Sequence, residues 1–260
     1  MKKFFTLSAA LFAALSMNAQ DGLITFESGA TYTDLQEITD GDLKLQLGND
    51  IKKAAKWDNK QSSIGTGDNM AVFAQDVEIE GEMKSRVVYI SGGNNPKDGA
   101  DNTGSGYSPA SKNIPQSGTY YMVTPTKSGK LLVGIILNAN KSFYVVKKSD
   151  GECLAQEQLL VQDTNGGTVT LDADYKVTEK LYGTAEFDGV AGETYYVFCT
   201  GSKLGFFGAR LSNKSVSTSI SSAKVVKANG AAAAFNMSGL RVGDNAKGLV
   251  IKEGKKLIRK

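Results

Sequence analysis

The chain has 260 residues, with 30 Lys and Arg against 27 Asp and Glu, a formal net charge of +3, and no histidine. Without an imidazole, Ser-His-Asp and Cys-His nucleophilic sites, His-ligated zinc and histidine general bases are excluded. Two cysteines are too few for a Cys-rich metal site.

The near-neutral total hides two unlike parts. Residues 20–222 hold 19 Lys and Arg and 25 Asp and Glu, so 19 − 25 = −6, whereas residues 223–260 hold 9 and 2, so 9 − 2 = +7. An acidic body and a basic tail call for separate readings. The tail's lysines alternate with Leu249, Val250, Ile251, Leu257 and Ile258 in strand-like fashion. Net charge is the sole nucleic-acid criterion the tail meets, so nucleic acid is not an expected partner.

In chain order, Lys2 and Lys3, the apolar run Phe4 to Leu15, and Ser16-Met17-Asn18-Ala19 predict a secretory signal peptide over residues 1–19. The run is too short to span a bilayer, and Leu131 to Leu137 is of strand length and carries Gly134, so an integral membrane protein is not expected.

Residues 20–211 read as one β-sandwich. Short β-rich runs recur between clusters of Gly, Asn, Asp and Ser. They are Leu43–Leu47, Val77–Glu82, Arg86–Ile90, Thr119–Thr124, Leu131–Leu137, Phe143–Lys147, Gln158–Val161, Thr168–Tyr175, Thr184–Phe187, Thr194–Thr200 and Leu204–Leu211. In Leu43-Lys44-Leu45-Gln46-Leu47 the leucines share one face, because successive strand side chains point to opposite sides. Lys127-Ser128-Gly129, Asn165-Gly166-Gly167 and Asp188-Gly189 are reversal signals. Two hairpins are expected, Thr119–Thr124 with Lys130–Leu137, and Thr194–Thr200 with Leu204–Leu211. One short helical turn is expected around Asp50–Ala55. Ser/Thr-rich residues 212–222 read as a linker. Residues 223–260 read as a small β module with strands at Ala223–Lys227, Ala231–Asn236, Gly248–Lys252 and Lys255–Ile258, and a turn at Glu253-Gly254.

Two resemblances bear on destination and fold. Asn236-Met237-Ser238-Gly239, Arg241-Val242, Lys247-Gly248 and Gly254-Lys255-Lys256 resemble the C-terminal sorting tail (type A) of proteins exported by the Bacteroidetes type IX secretion route. That resemblance implies a secreted or outer-surface protein whose tail is read by the secretion machinery. The segments TYYMVTPTKSGKLLVGIILNANKSFYVV and ETYYVFCTGSKLGFFGARL resemble accessory jelly-roll domains of secreted carbohydrate-active proteins. They imply an all-β, antiparallel jelly-roll-like sandwich followed by the small C-terminal β module.

Candidate site residues follow from the chemistry of sugars, whose apolar faces suit flat aromatic rings with polar neighbours. Trp57 is the sole tryptophan and stands in the polar segment Lys56-Trp57-Asp58-Asn59-Lys60-Gln61, which makes Trp57, Asp58 and Asn59 ligand-binding candidates. Tyr107, in the loop Asn102–Pro109, is the next. The alternative for Trp57 is core packing. Asp98-Gly99-Ala100-Asp101-Asn102 offers oxygen ligands of the kind calcium takes, without EF-hand spacing or its terminal Glu, so calcium is left open and no cofactor is assigned. Cys153 and Cys199 are read either as a disulfide or as free thiols, with Cys199 then a small buried hydrophobe.

The expected function is a non-catalytic exported module that binds polysaccharide. The alternatives are a structural or adhesive surface protein that contacts other proteins, and a lyase or glycosidase that works without histidine.

Overall fold

The computed structural model describes residues 22–51, 54–57 and 65–212, and the backbone of residues 234–236, 241–242, 248–252 and 255–259. The chain divides into two compact units, Met1–Ser215 and Val216–Lys260.

The first unit is an antiparallel β-sandwich of jelly-roll-like winding. One sheet runs β1 (Leu23–Thr25), β12 (Gly205–Ser212), β7 (Gly129–Leu137), β10 (Leu181–Gly189), β9 (Leu160–Asp163). The other runs β2 (Glu37–Asp40), β3 (Leu43–Leu47), β6 (Tyr121–Pro125), β11 (Tyr195–Thr200), β8 (Ser142–Lys147). A helical turn, α1 (Asp68–Ala71), leads into a separate hairpin of β4 (Ala74–Ile79) and β5 (Glu82–Val87).

Side-chain alternation builds three apolar layers. Leu43, Leu45 and Leu47 of β3, Leu131, Val133, Ile135 and Leu137 of β7, and Tyr195, Val197 and Cys199 of β11 meet in the main core between the sheets. The opposite faces of the same strands are also buried. Leu132 and Ile136 of β7 join Phe207, and the segment carrying Met70, Phe73 and Val87 covers them. Tyr196 and Phe198 of β11 join Met122, Tyr144 and Val146, and Tyr107 covers them. Both outer faces are therefore roofed, which is why β7 and β11 read as continuous apolar runs. The adjacent pairs divide between layers as the two-residue period requires. Tyr121 and Tyr195 lie in the main core, while Tyr120 and Tyr196 lie on the outer face.

Several expected connections differ. β6 and β7 are not a hairpin, since β6 pairs with β3 and β11 while β7 pairs with β10 and β12. β11 and β12 likewise belong to opposite sheets. Each short turn arches across the sandwich, because strands apolar on both sides need sheet partners other than their chain neighbours. Val77–Glu82 is not one strand. Glu80 (φ 55) and Gly81 (φ 81) adopt left-handed backbone and reverse the chain there, matching a primed two-residue turn. Asp188-Gly189 lies within β10, opposite Lys130 and Gly129, and the reversal falls just beyond it.

Thr168–Tyr175 is not a strand either. It touches β9 through a single bridge, Gln162 to Thr168, and then Asp172 turns the chain by accepting the amides of Asp174 (2.9 Å) and Lys176 (2.8 Å). The helical turn expected around Asp50–Ala55 is replaced by extended backbone at Ala54, which pairs with Thr31, and the turn forms instead at α1.

The second unit is a four-stranded antiparallel sheet, in the order β14 (Arg241–Val242), β13 (Ala234–Asn236), β15 (Gly248–Lys252), β16 (Lys255–Arg259). Lys252 opposes Lys255, so two residues connect β15 and β16. The expected turn residues Glu253-Gly254 and the strand Ala223–Lys227 lie outside the described residues.

Candidate functional site

Of the sequence-derived site residues, Trp57 is half-buried and packs against the main core. The preceding Lys56 exchanges backbone hydrogen bonds with Tyr89, at 3.0 and 2.8 Å, which holds the segment extended. Asp58 and Asn59 lie outside the described residues.

Tyr107 is no platform for a sugar. It is 5% exposed, edge-on to Tyr144 (4.9 Å between centroids) and to Phe198 (5.5 Å). Its hydroxyl donates to the Gly151 carbonyl at 2.9 Å, and burial pushes its pKa upward. Its loop folds back because Asp98 stitches it, accepting the Ser105 amide at 2.6 Å and the Asn113 side chain at 2.5 Å. Those hydrogen bonds hold the Asp98 carboxyl below the ordinary carboxylate range. Each Asp98 oxygen thus accepts one hydrogen bond, while Asp101 is exposed on left-handed backbone (φ 52). Among the described residues no group of three or more His, Cys, Asp or Glu is placed to hold a metal.

The cysteines are free thiols. Cys199 faces the main core, whereas Cys153 packs on the outer-face cluster with Tyr107 and Tyr144. A disulfide would have to pass through the sheet. Burial pushes the thiol pKa of Cys153 up to about 11 and that of Cys199 up to about 12, so both stay protonated and unreactive near neutrality.

Among the described residues, a concave surface lies elsewhere, around the turn after the edge strand β9. Asp163 accepts the amides of Asn165 (2.8 Å) and Gly167 (2.9 Å) through one carboxylate oxygen, and Gly166 takes the left-handed conformation (φ 84). The reversal read from Asn165-Gly166-Gly167 is thus built as an Asx turn. Beyond it the chain returns along β9, with the Val169 amide donating to Val161 at 2.8 Å. The second Asx turn, at Asp172, then sends it into β10.

Between these passages opens a cavity of about 680 Å³, lined by Asp163, Thr168, Thr170, Thr178, Glu179 and Tyr182 among others. A second, of about 370 Å³, shares Thr168, Val169 and Thr170 and reaches Glu157. A third, of about 430 Å³, lies across the turn, between Asn165-Gly166 and the Gly67-Asp68-Asn69 segment. The Asn69 side chain donates to that of Gln162 at 2.7 Å, tying α1 to β9. Tyr182 is half-buried on the outer face of β10, with the Lys180 ammonium 4.9 Å from its ring centroid. Threonine hydroxyls both donate and accept, the carboxylates accept, Lys180 donates, and the tyrosine supplies an apolar ring.

Sequence reasoning missed this site because it treated Thr168–Tyr175 as a strand, and because Tyr182 preceded the strand then expected. The clustering of Thr164, Thr168, Thr170 and Thr178 around a Gly-Gly turn was the available signal.

The fold and the groove define an all-β sandwich with a cleft at one sheet edge lined by threonine hydroxyls, carboxylates and the apolar side chains of Val169, Val177 and Leu181. No family model and no curated protein matches the chain.

Proposed function

We propose that the chain is an exported, non-catalytic module of the cell surface or extracellular space, and that it binds carbohydrate in the groove beside β9 and β10. The observation that carries this reading is the cleft of about 680 Å³, in which threonine hydroxyls and carboxylates converge beside Tyr182. That volume lies in the range of small-ligand sites, and a lining that mixes hydroxyls and carboxylates with Val169, Val177, Leu181 and Tyr182 suits the polar edges and apolar faces of a sugar.

Affinity electrophoresis of the full chain through a panel of polysaccharide gels tests it. Retardation is expected in at least one gel, with Tyr182→Ala weakening it about tenfold. Removing about 50 Å² of stacked apolar surface forfeits about 1.3 kcal/mol at about 25 cal/mol per Å², or close to one decade of affinity. No retardation in any gel, with wild type and Tyr182→Ala alike, would sink the reading.

The tail carries the second half of the proposal. The resemblance to a type IX sorting tail, together with the signal-peptide pattern, supports export with the secretion machinery as a partner. Deleting residues 223–260 in the native host should leave the protein inside the cell envelope. Unchanged surface display or release would show that the tail is not the address.

A further inference from the structure

The groove has a charge pattern that bears on which glycans it accepts. The three cavities around the β9 turn are lined by Asp68, Glu157, Asp163 and Glu179 against one cation, Lys180. The lining charge is 1 − 4 = −3 among the described residues. Glu157, Glu179 and Asp68 are exposed at the rim, whereas Asp163 is half-buried at the turn, held by two backbone amides. Lys180 lies against the Tyr182 ring, so the one positive group also contacts the one aromatic surface of the cleft.

We infer that the groove selects by charge, accepting neutral or amine-bearing saccharides and rejecting uronic or sulfated ones. The inference rests on the carbohydrate reading above and concerns the same site. An anionic sugar entering the cleft brings its carboxylate or sulfate beside Asp163 and Glu179, with Glu157 and Asp68 in the adjoining cavities. The single ammonium opposing them must also stay close to Tyr182. A protonated amino sugar meets the opposite situation, with carboxylate acceptors at Asp163 and Glu179 and hydroxyl partners at Thr168, Thr170 and Thr178. At low ionic strength, each uncompensated carboxylate about 8 Å from a sugar anion costs about a twofold loss of affinity through water, so a polyuronate spanning the three cavities loses about tenfold. The penalty shrinks as the Debye length falls to about 8 Å near 0.15 M salt.

The test uses the full chain in gels of three polysaccharide classes at low and at 0.15 M salt. Mixed-linkage glucan, mannan and xylan are the neutral probes, chitosan at pH 6 is the amine-bearing one, and polygalacturonate and alginate are the anionic ones. Retardation is expected by chitosan or a neutral polymer, about tenfold stronger at low salt than by either uronate. Added salt should weaken the chitosan interaction and leave a neutral one unchanged.

The double substitution Glu157→Gln, Glu179→Gln alters two exposed side chains. It should raise the ratio of uronate to neutral-polymer affinity about fivefold relative to wild type. Binding of polygalacturonate or alginate as strong as that of the neutral probes would overturn the charge selection and leave the carbohydrate reading standing. A double variant with an unchanged uronate-to-neutral ratio would also overturn it. Absence of binding to every class would remove both proposals.

Discussion

Phe206→Ala lowers the unfolding free energy by about 3–5 kcal/mol, the range for truncating a large aromatic in a closed core. The Phe206 ring lies parallel to Tyr121, with 4.2 Å between centroids and 10° between planes, and tilts against Phe26 at 6.2 Å. Its backbone bridges to Ile90, so the residue joins the main core to the segment that roofs one sheet. Tyr121 cannot move to fill the hole without giving up its hydroxyl's hydrogen bond to the Leu204 carbonyl (3.1 Å) in a fully buried setting. Urea denaturation followed by tryptophan fluorescence checks the value. A loss below about 1 kcal/mol would mean that the stack is not closed in solution.

Gly208→Ala is the second large effect, for a reason that lies in the backbone. Gly208 has φ +139, and the register of β12 against β7 shifts between Phe206 and Gly208, so the glycine sits in a bulge. A Cβ there would lie 2.0 Å from the Ile24 carbonyl oxygen, which belongs to the paired strand β1. Strain at such a φ costs about 1–3 kcal/mol, and overpacking about 1–3 kcal/mol more. The expected loss is about 2–6 kcal/mol in the same denaturation experiment. Exchange of the β1 amides should rise along with it, because the clash falls on that edge strand. A variant within about 0.5 kcal/mol of wild type would contradict the bulge geometry.

The strands that were legible in the sequence are those with one buried face. Leu43–Leu47 alternates cleanly, and its boundaries match β3. Strands buried on both faces were recognised as strands, but their partners were not. Nothing in Leu131–Leu137 says whether its neighbour is Tyr121–Pro125 or the distant Leu181–Gly189. Sheet membership is decided by which outer face the roofing segments cover, and those segments carry weak local patterns. The site was harder still. Tyr107 looked exposed because glycine and serine surround it, yet Asp98 and Gly151 fold it inward. The groove arises where two carboxylates cap turns, and side-chain-to-amide bonds of that kind interrupt a β-rich run that composition alone would extend.

The pairing of β1 with β12 joins residues near 23 to residues near 210. β12 is also a direct neighbour of β7, the strand at the centre of the same sheet. A chain that has emerged only as far as β11 therefore lacks the strand that both β1 and β7 need. Sheet completion waits for the last strand of the body, and contacts this distant in sequence close slowly. Until residue 212 is free, one edge of β7 stays open. The first unit thus becomes a closed sandwich only once the whole stretch from β1 to β12 is available.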